Sequence, residues 1–141
     1  MKTTDARTVA LWMMTAAVAL MLTACGRNDS GLYEVNGRLT HQGEPIHSML
    51  IYFVPEDTAN HPESYAITDE QGRFEMKVVS TPGVAPGKHS VYVQDPKAVQ
   101  GGKTSTASSY QAVLKKYGSE ETSPLTMEVD QDLPDLELKL D

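Results

Sequence analysis

The sequence predicts an all-β fold: an antiparallel sandwich of seven strands with one short helix, preceded by an N-terminal signal-peptide helix. Three observations lead there. Seven short stretches alternate apolar and polar residues with the period of two that marks half-buried strands. Turn residues (Gly, Pro, Asn, Asp) separate them at regular intervals. A single stretch, near residues 110–117, carries the helical period instead.

Residues 1–8 carry Lys2 and Arg7 against Asp5, and residues 9–22 contain no charge. As a helix that apolar run rises about 21 Å, short of the roughly 30 Å of bilayer hydrocarbon. A basic start, a short apolar run and small residues before a cleavage point describe an export signal. It ends in Leu22-Thr23-Ala24-Cys25, which holds the sole cysteine of the chain. This stretch resembles the lipobox of bacterial lipoproteins. The resemblance implies cleavage between Ala24 and Cys25, a diacylglycerol thioether on the Cys25 sulfur, and a fatty acyl group such as palmitate on the new amine. A thiol suits that chemistry because sulfur is the nucleophile. Two or three acyl chains, at about 0.8 kcal/mol per buried methylene, anchor a protein stably. Gly26, where an aspartate would signal inner-membrane retention, points to an outer membrane in a cell that has two. The expected location is the cell envelope, on the periplasmic or outer face. The alternatives are an ordinary secretory signal with an incidental cysteine, or a short membrane helix.

Removing residues 1–24 leaves 117 of the 141 residues, one domain's worth. Residues 25–31 read as a short polar tether and residues 32–141 as the domain. Discounting Lys2, Arg7 and Asp5 from 12 basic and 19 acidic side chains leaves 10 and 18, a net charge of −8. That balance argues against nucleic acid as a partner. With Cys25 acylated, no thiol remains for a disulfide or a thiolate metal site, so the core alone must hold the domain.

The strands are expected at residues 33–39, 46–54, 64–68, 74–78, 89–94, 125–129 and 136–140. The 46–54 stretch is apolar on both faces, which suggests a central strand. Asp69-Glu70-Gln71-Gly72 reads as a tight reversal, with Asp69 capping backbone N–H groups and Gly72 supplying a left-handed residue. Residues 95–109 are rich in Gly, Ser and Thr and look least ordered. Tyr110, Val113, Leu114 and Tyr117 share one helical face, which needs docking against the sheet to persist. The expected core comprises Val35, Leu39, Met49, Ile51, Phe53, Phe74, Met76, Val91, Val93, Leu125, Met127, Val129, Leu136 and Leu138.

Val35-x-Gly37-x-Leu39, Gly43-x-Pro45-Ile46 and Ile51-x-Phe53-x-Pro55 resemble the opening of carboxypeptidase regulatory-like domains. Thr68-Asp69-x-x-Gly72-x-Phe74 is similar to their central hairpin, and Pro86-Gly87-Lys88-His89-x-Val91-x-Val93 to the strand that follows. The resemblance spans residues 33–94 and implies a transthyretin-like (prealbumin-like) seven-stranded sandwich without enzymatic activity. His89 departs from the pattern, which usually has an aromatic there; a packed imidazole bonded to backbone is expected.

Candidate chemistry is sparse. His41, His47, His61 and His89 form no metal-binding spacing, although His41 and His47 flank one turn and could converge. Asp69–Gly72 lacks the rhythm of a calcium loop, and the Asp130, Asp132, Asp135 group reads as a solvated turn, with a weak calcium site as the alternative. Ser108 and Ser109 have no neighbours that would mark a nucleophile. No catalytic residue, cofactor or metal is expected. Tyr52 and Tyr92 project from the outer faces of their strands, where they could stack on a sugar or anchor a protein; alternatively, the 95–124 segment covers them. The expected function is a lipid-anchored binding or structural module with an envelope protein or glycan as partner. A carbohydrate-binding accessory module is the alternative. A hydrolase or dioxygenase on the same sandwich would need histidines converging with a carboxylate or tyrosine.

Overall fold

The structure, a computed structural model, describes residues 30–141; the expected signal helix, the Ala24/Cys25 cleavage site and the lipidation site at Cys25 lie outside them. No helix among the described residues is long and apolar enough to cross a membrane.

Ten strand segments and two helices follow one another: β1 (Val35–His41), β2 (Glu44–Pro45), β3 (Leu50–Pro55), β4 (Ser64–Ile67), β5 (Arg73–Glu75), β6 (Lys77–Val78), β7 (Thr81–Pro82), β8 (Gly87–Gln94), α1 (Pro96–Val99), α2 (Ser108–Tyr117), β9 (Leu125–Val129) and β10 (Leu133–Lys139). They form two sheets around one shared core, a sandwich-like arrangement. The larger sheet runs β7-β6-β4-β3-β8-β9; in the smaller, β1 is flanked by β10 on one side and by β2 and β5 on the other.

Two sequence expectations need correction. The first concerns strand count. The stretch expected as one strand at 74–78 divides at Met76. Before Met76 the chain pairs with β1, and after it with β4. Met76 is the joint: its N–H donates to the Val35 carbonyl at 2.9 Å, its carbonyl accepts from Gly83 at 2.8 Å, and its side chain is fully buried. The two-residue segments β2 and β7 are further additions.

The second correction concerns direction. β1 and β10 run parallel, with Val35 opposite Leu133 and Thr40 opposite Lys139. Alternation tells a strand which face is buried but not which way it runs. Direction follows from the path: β9 and β10 are joined by a short turn that also changes sheets, so β10 arrives beside β1 pointing the same way. The pairing requires Gly37, because a Cβ there would lie 2.1 Å from the Leu136 carbonyl oxygen and 2.9 Å from the Phe74 ring.

The core is the expected one with additions. Val35, Leu39, Met49, Ile51, Phe53, Met76, Val91, Val93 and Val129 are fully buried, and Phe74 and Leu138 nearly so. Leu125, Met127 and Leu136 pack against the core from partly exposed positions. For Leu125 and Met127 the reason is that β9 is an edge strand with a neighbour on one side only. Val84, Leu140, Val113 and Tyr117 complete the core. The last two come from α2, which docks its apolar face as the helical period requires. The hairpin at Asp69 forms as its residues dictate: one Asp69 carboxylate oxygen accepts from Gln71 N at 2.9 Å and Arg73 N at 2.8 Å, and Gly72 has φ of 72°. The 95–109 stretch contains α1, capped by Asp95, whose carboxylate accepts from Lys97 N at 2.8 Å.

Candidate tyrosine face

Odd positions of β3 and β8 fill the core, so even positions face outward. On that outer face Tyr52 of β3 stands opposite Tyr92 of β8 on one side and Tyr65 of β4 on the other. The three phenols form one row across the middle of the six-stranded sheet. All three are half-buried.

The row is internally bonded. The Tyr52 and Tyr92 rings stack with centroids 4.8 Å apart and planes 14° from parallel. At that separation two near-parallel rings cannot lie side by side in one plane; one face of each is turned to the other. Tyr65 donates its hydroxyl to the Val79 carbonyl at 2.9 Å, and the Lys77 ammonium lies 6.0 Å from its ring centroid. Lys77 is the register partner of Tyr65 on β6, so it ends the row.

Charge around the row is mostly negative. Burial pushes the Tyr92 phenol up to about 12, helped by the neighbouring Glu63, Tyr52, Glu120 and Glu121. Burial also raises Tyr52, with Glu63 and Tyr65 adding to it. Both phenols therefore stay protonated at neutral pH and act as hydrogen-bonding groups rather than bases. The turn after α2 brings Glu120 and Glu121 to one end of the row. Tyr117 packs into the core and Tyr110 packs against its edge.

The remaining candidates are scattered. His41 at the end of β1 bonds through Nδ1 to the Leu140 carbonyl. His47 is exposed, and His61 lies on the 56–63 loop. His89 is fully buried, with Nδ1 2.9 Å from the Gly87 carbonyl and its ring against Phe53. Burial holds its pKa below the ordinary value, while the Gly87 carbonyl and Glu128 pull the other way. Asp132 accepts from Glu34 N at 2.8 Å, so one oxygen of that acidic turn is spent on the fold. Among the described residues no group of three His, Cys, Asp or Glu side chains is placed to hold a metal ion.

Tyr65 and Lys77 are absent from the residues singled out in the sequence. Tyr65 does alternate correctly within its expected strand, but its place beside Tyr52 depends on hairpin register, which loop 56–63 leaves open. Comparison with known families, curated proteins and solved structures finds no match for this chain.

Proposed function

We propose that this chain is a lipid-anchored cell-envelope protein carrying a non-enzymatic binding or structural module, a transthyretin-like sandwich of the carboxypeptidase regulatory-like kind. Support for the anchor is the Leu22-Thr23-Ala24-Cys25 stretch behind a basic, apolar leader. Support for the domain type is that β1, β3, the Asp69 turn and β8 fall on the motifs that carry the resemblance.

The observation that carries the binding role is the Tyr65–Tyr52–Tyr92 row. It offers aromatic surface at low entropic cost, since each phenol is already fixed by its neighbours. Its partner is a protein surface bearing basic side chains: Glu63 and the Glu120–Glu121 turn supply the opposite charge, and π faces attract cations. The carbohydrate-binding alternative is disfavoured by the ring geometry. A sugar stacks on an open ring face, and Tyr52 and Tyr92 spend one face each on the other.

The test replaces Tyr65 with a photo-cross-linking phenylalanine analogue in the tethered protein within its own envelope. A discrete protein adduct, weakened by Glu120→Lys with Glu121→Lys, is the expected result. No adduct, or one indifferent to those charges, overturns the basic-partner reading. Glycan binding lost on Tyr52→Ala would establish the carbohydrate alternative instead. The anchor is tested by mass spectrometry: the wild type should carry acyl groups on Cys25, and Cys25→Ser should be unacylated and unprocessed. A wild type without acyl groups overturns it.

A further inference from the structure

A second surface lies at the other end of the molecule's logic, on the flank closed by α2. There the turn after β1, the segment leading into β3, the start of α1 and the first turns of α2 enclose a cleft of about 660 Å³. That lies within the range of small-molecule sites, roughly 300–1,000 Å³. Its residues come from three separate stretches of the sequence, 41–48, 95–97 and 103–113, which is why no linear motif announces it.

The cleft is amphipathic. Val113, almost fully buried, and Ile46, partly buried, give it an apolar floor continuous with the core. Its polar groups divide by whether the fold already uses them. Asp95 is 4 % exposed and is engaged: it caps α1 through Lys97 N and lies beside the Tyr110 hydroxyl. Burial and that carboxylate push Tyr110 up to about 12, so its phenol stays neutral. The Lys97 and Lys103 ammonium groups have no ion-pair partner among the described residues. The ion pair among the described residues is Lys88 with Glu56 and involves neither of them. His41 at the end of β1 and His47 just after β2 both reach this wall. One carboxylate beyond Asp95, that of Glu44, lines it. With Asp95 already spent on α1 and Tyr110, two ammonium groups that have no ion-pair partner among the described residues stand beside an apolar floor, a pairing that suits an anion with an apolar body.

We infer that this cleft binds a small amphipathic anion, an apolar group ending in a carboxylate or phosphate, held by Lys97 and Lys103 over the Val113 and Ile46 floor.

This inference rests on the binding-module reading and adds a site to it. The test uses the processed full chain in phosphatidylcholine nanodiscs, followed by NMR of the histidine ring protons. The probes are 4-phenylbutyrate and phenyl phosphate, with benzylamine as the cationic control. The anions should shift His41 and His47 saturably while leaving His61 and His89 in place. The ratio of the two affinities decides between carboxylate and phosphate. Lys97→Glu with Lys103→Glu should weaken binding at least about tenfold; both side chains are exposed, so the core is untouched. Equal shifts of all four histidines, equal binding of benzylamine, no saturation at millimolar probe, or no effect of the double charge reversal overturns the inference. Cross-linking from position 65 in that variant separates the two readings: an adduct that persists while probe binding was never seen sinks the cleft alone.

Discussion

Tyr52 and Tyr92 face each other across β3 and β8 with ring centroids 4.8 Å apart, a stacked pair on the solvent side of the larger sheet. Cross-strand aromatic pairs contribute about 0.5–1.5 kcal/mol beyond the area they bury. Tyr52→Ala and Tyr92→Ala should each lower stability to urea. The double variant should lose less than the sum of the two, by about 0.5–1.5 kcal/mol. Additive losses would mean the rings stack without mutual stabilisation.

His89 makes the domain sensitive to acid. Its ring is fully buried, Nε2 has no hydrogen-bond partner among the described residues, and its pKa is held below 6.5 chiefly by burial. The unfolded chain therefore takes up the proton first as pH falls. The stability conferred by the neutral ring is fully present above about pH 6.5 and is lost as pH drops through the folded value. Glu128 and His61, which also act on the ring, remain in both proteins when His89→Phe is compared with wild type. The urea midpoint of the wild type should fall faster than that of His89→Phe between about pH 7 and pH 5. Parallel pH profiles would refute this.

Gly37 is where two strands and a ring converge. A methyl group there meets the Leu136 carbonyl oxygen and the Phe74 ring at distances no packing tolerates. Gly37→Ala should cost at least about 3 kcal/mol. Amide exchange should accelerate first in β1 and β10, ahead of β3 and β8. A variant with wild-type stability would mean that β10 does not lie against β1 in this register.

Val79 sits at φ of 57°, a left-handed conformation that β-branched residues avoid, and it is 75 % exposed. Val79→Asn should raise stability by about 1 kcal/mol, since asparagine accepts this conformation and no packing is lost. Thermal unfolding measures it. A destabilised variant would show that the valine side chain makes contacts outweighing the backbone strain.

Much of the fold is legible because period-two alternation states directly which side chains enter the core. Val35, Leu39, Ile51, Phe53, Val91 and Val93 need no more than that. The Asp69 turn is legible because carboxylate capping and a left-handed glycine are local chemistry. Direction is not local, so the parallel β1–β10 pair was beyond reach. The same holds for the break at Met76, where alternation continues unbroken while the chain changes partners. The same limit explains the candidate site. Tyr52 and Tyr92 declare themselves as outward residues, but Tyr65 joins them only through register. The cleft draws on the β1–β2 turn, the start of α1 and α2, whose meeting is set by how α2 docks, and no one stretch of sequence encodes that.

The β1–β10 pairing also sets an order of events. Val35 and Leu133 are 98 residues apart in the chain, yet they are neighbours in the sheet. Closing so long a loop is slow relative to forming hairpins. The larger sheet, whose strands β3 and β4 join through a nearby loop, can assemble while the chain is still emerging. The smaller sheet cannot close on the β10 side until the final strand arrives. Until then β1 keeps one bare edge, and a chain stalled or clipped before residue 133 would present that edge to any passing strand.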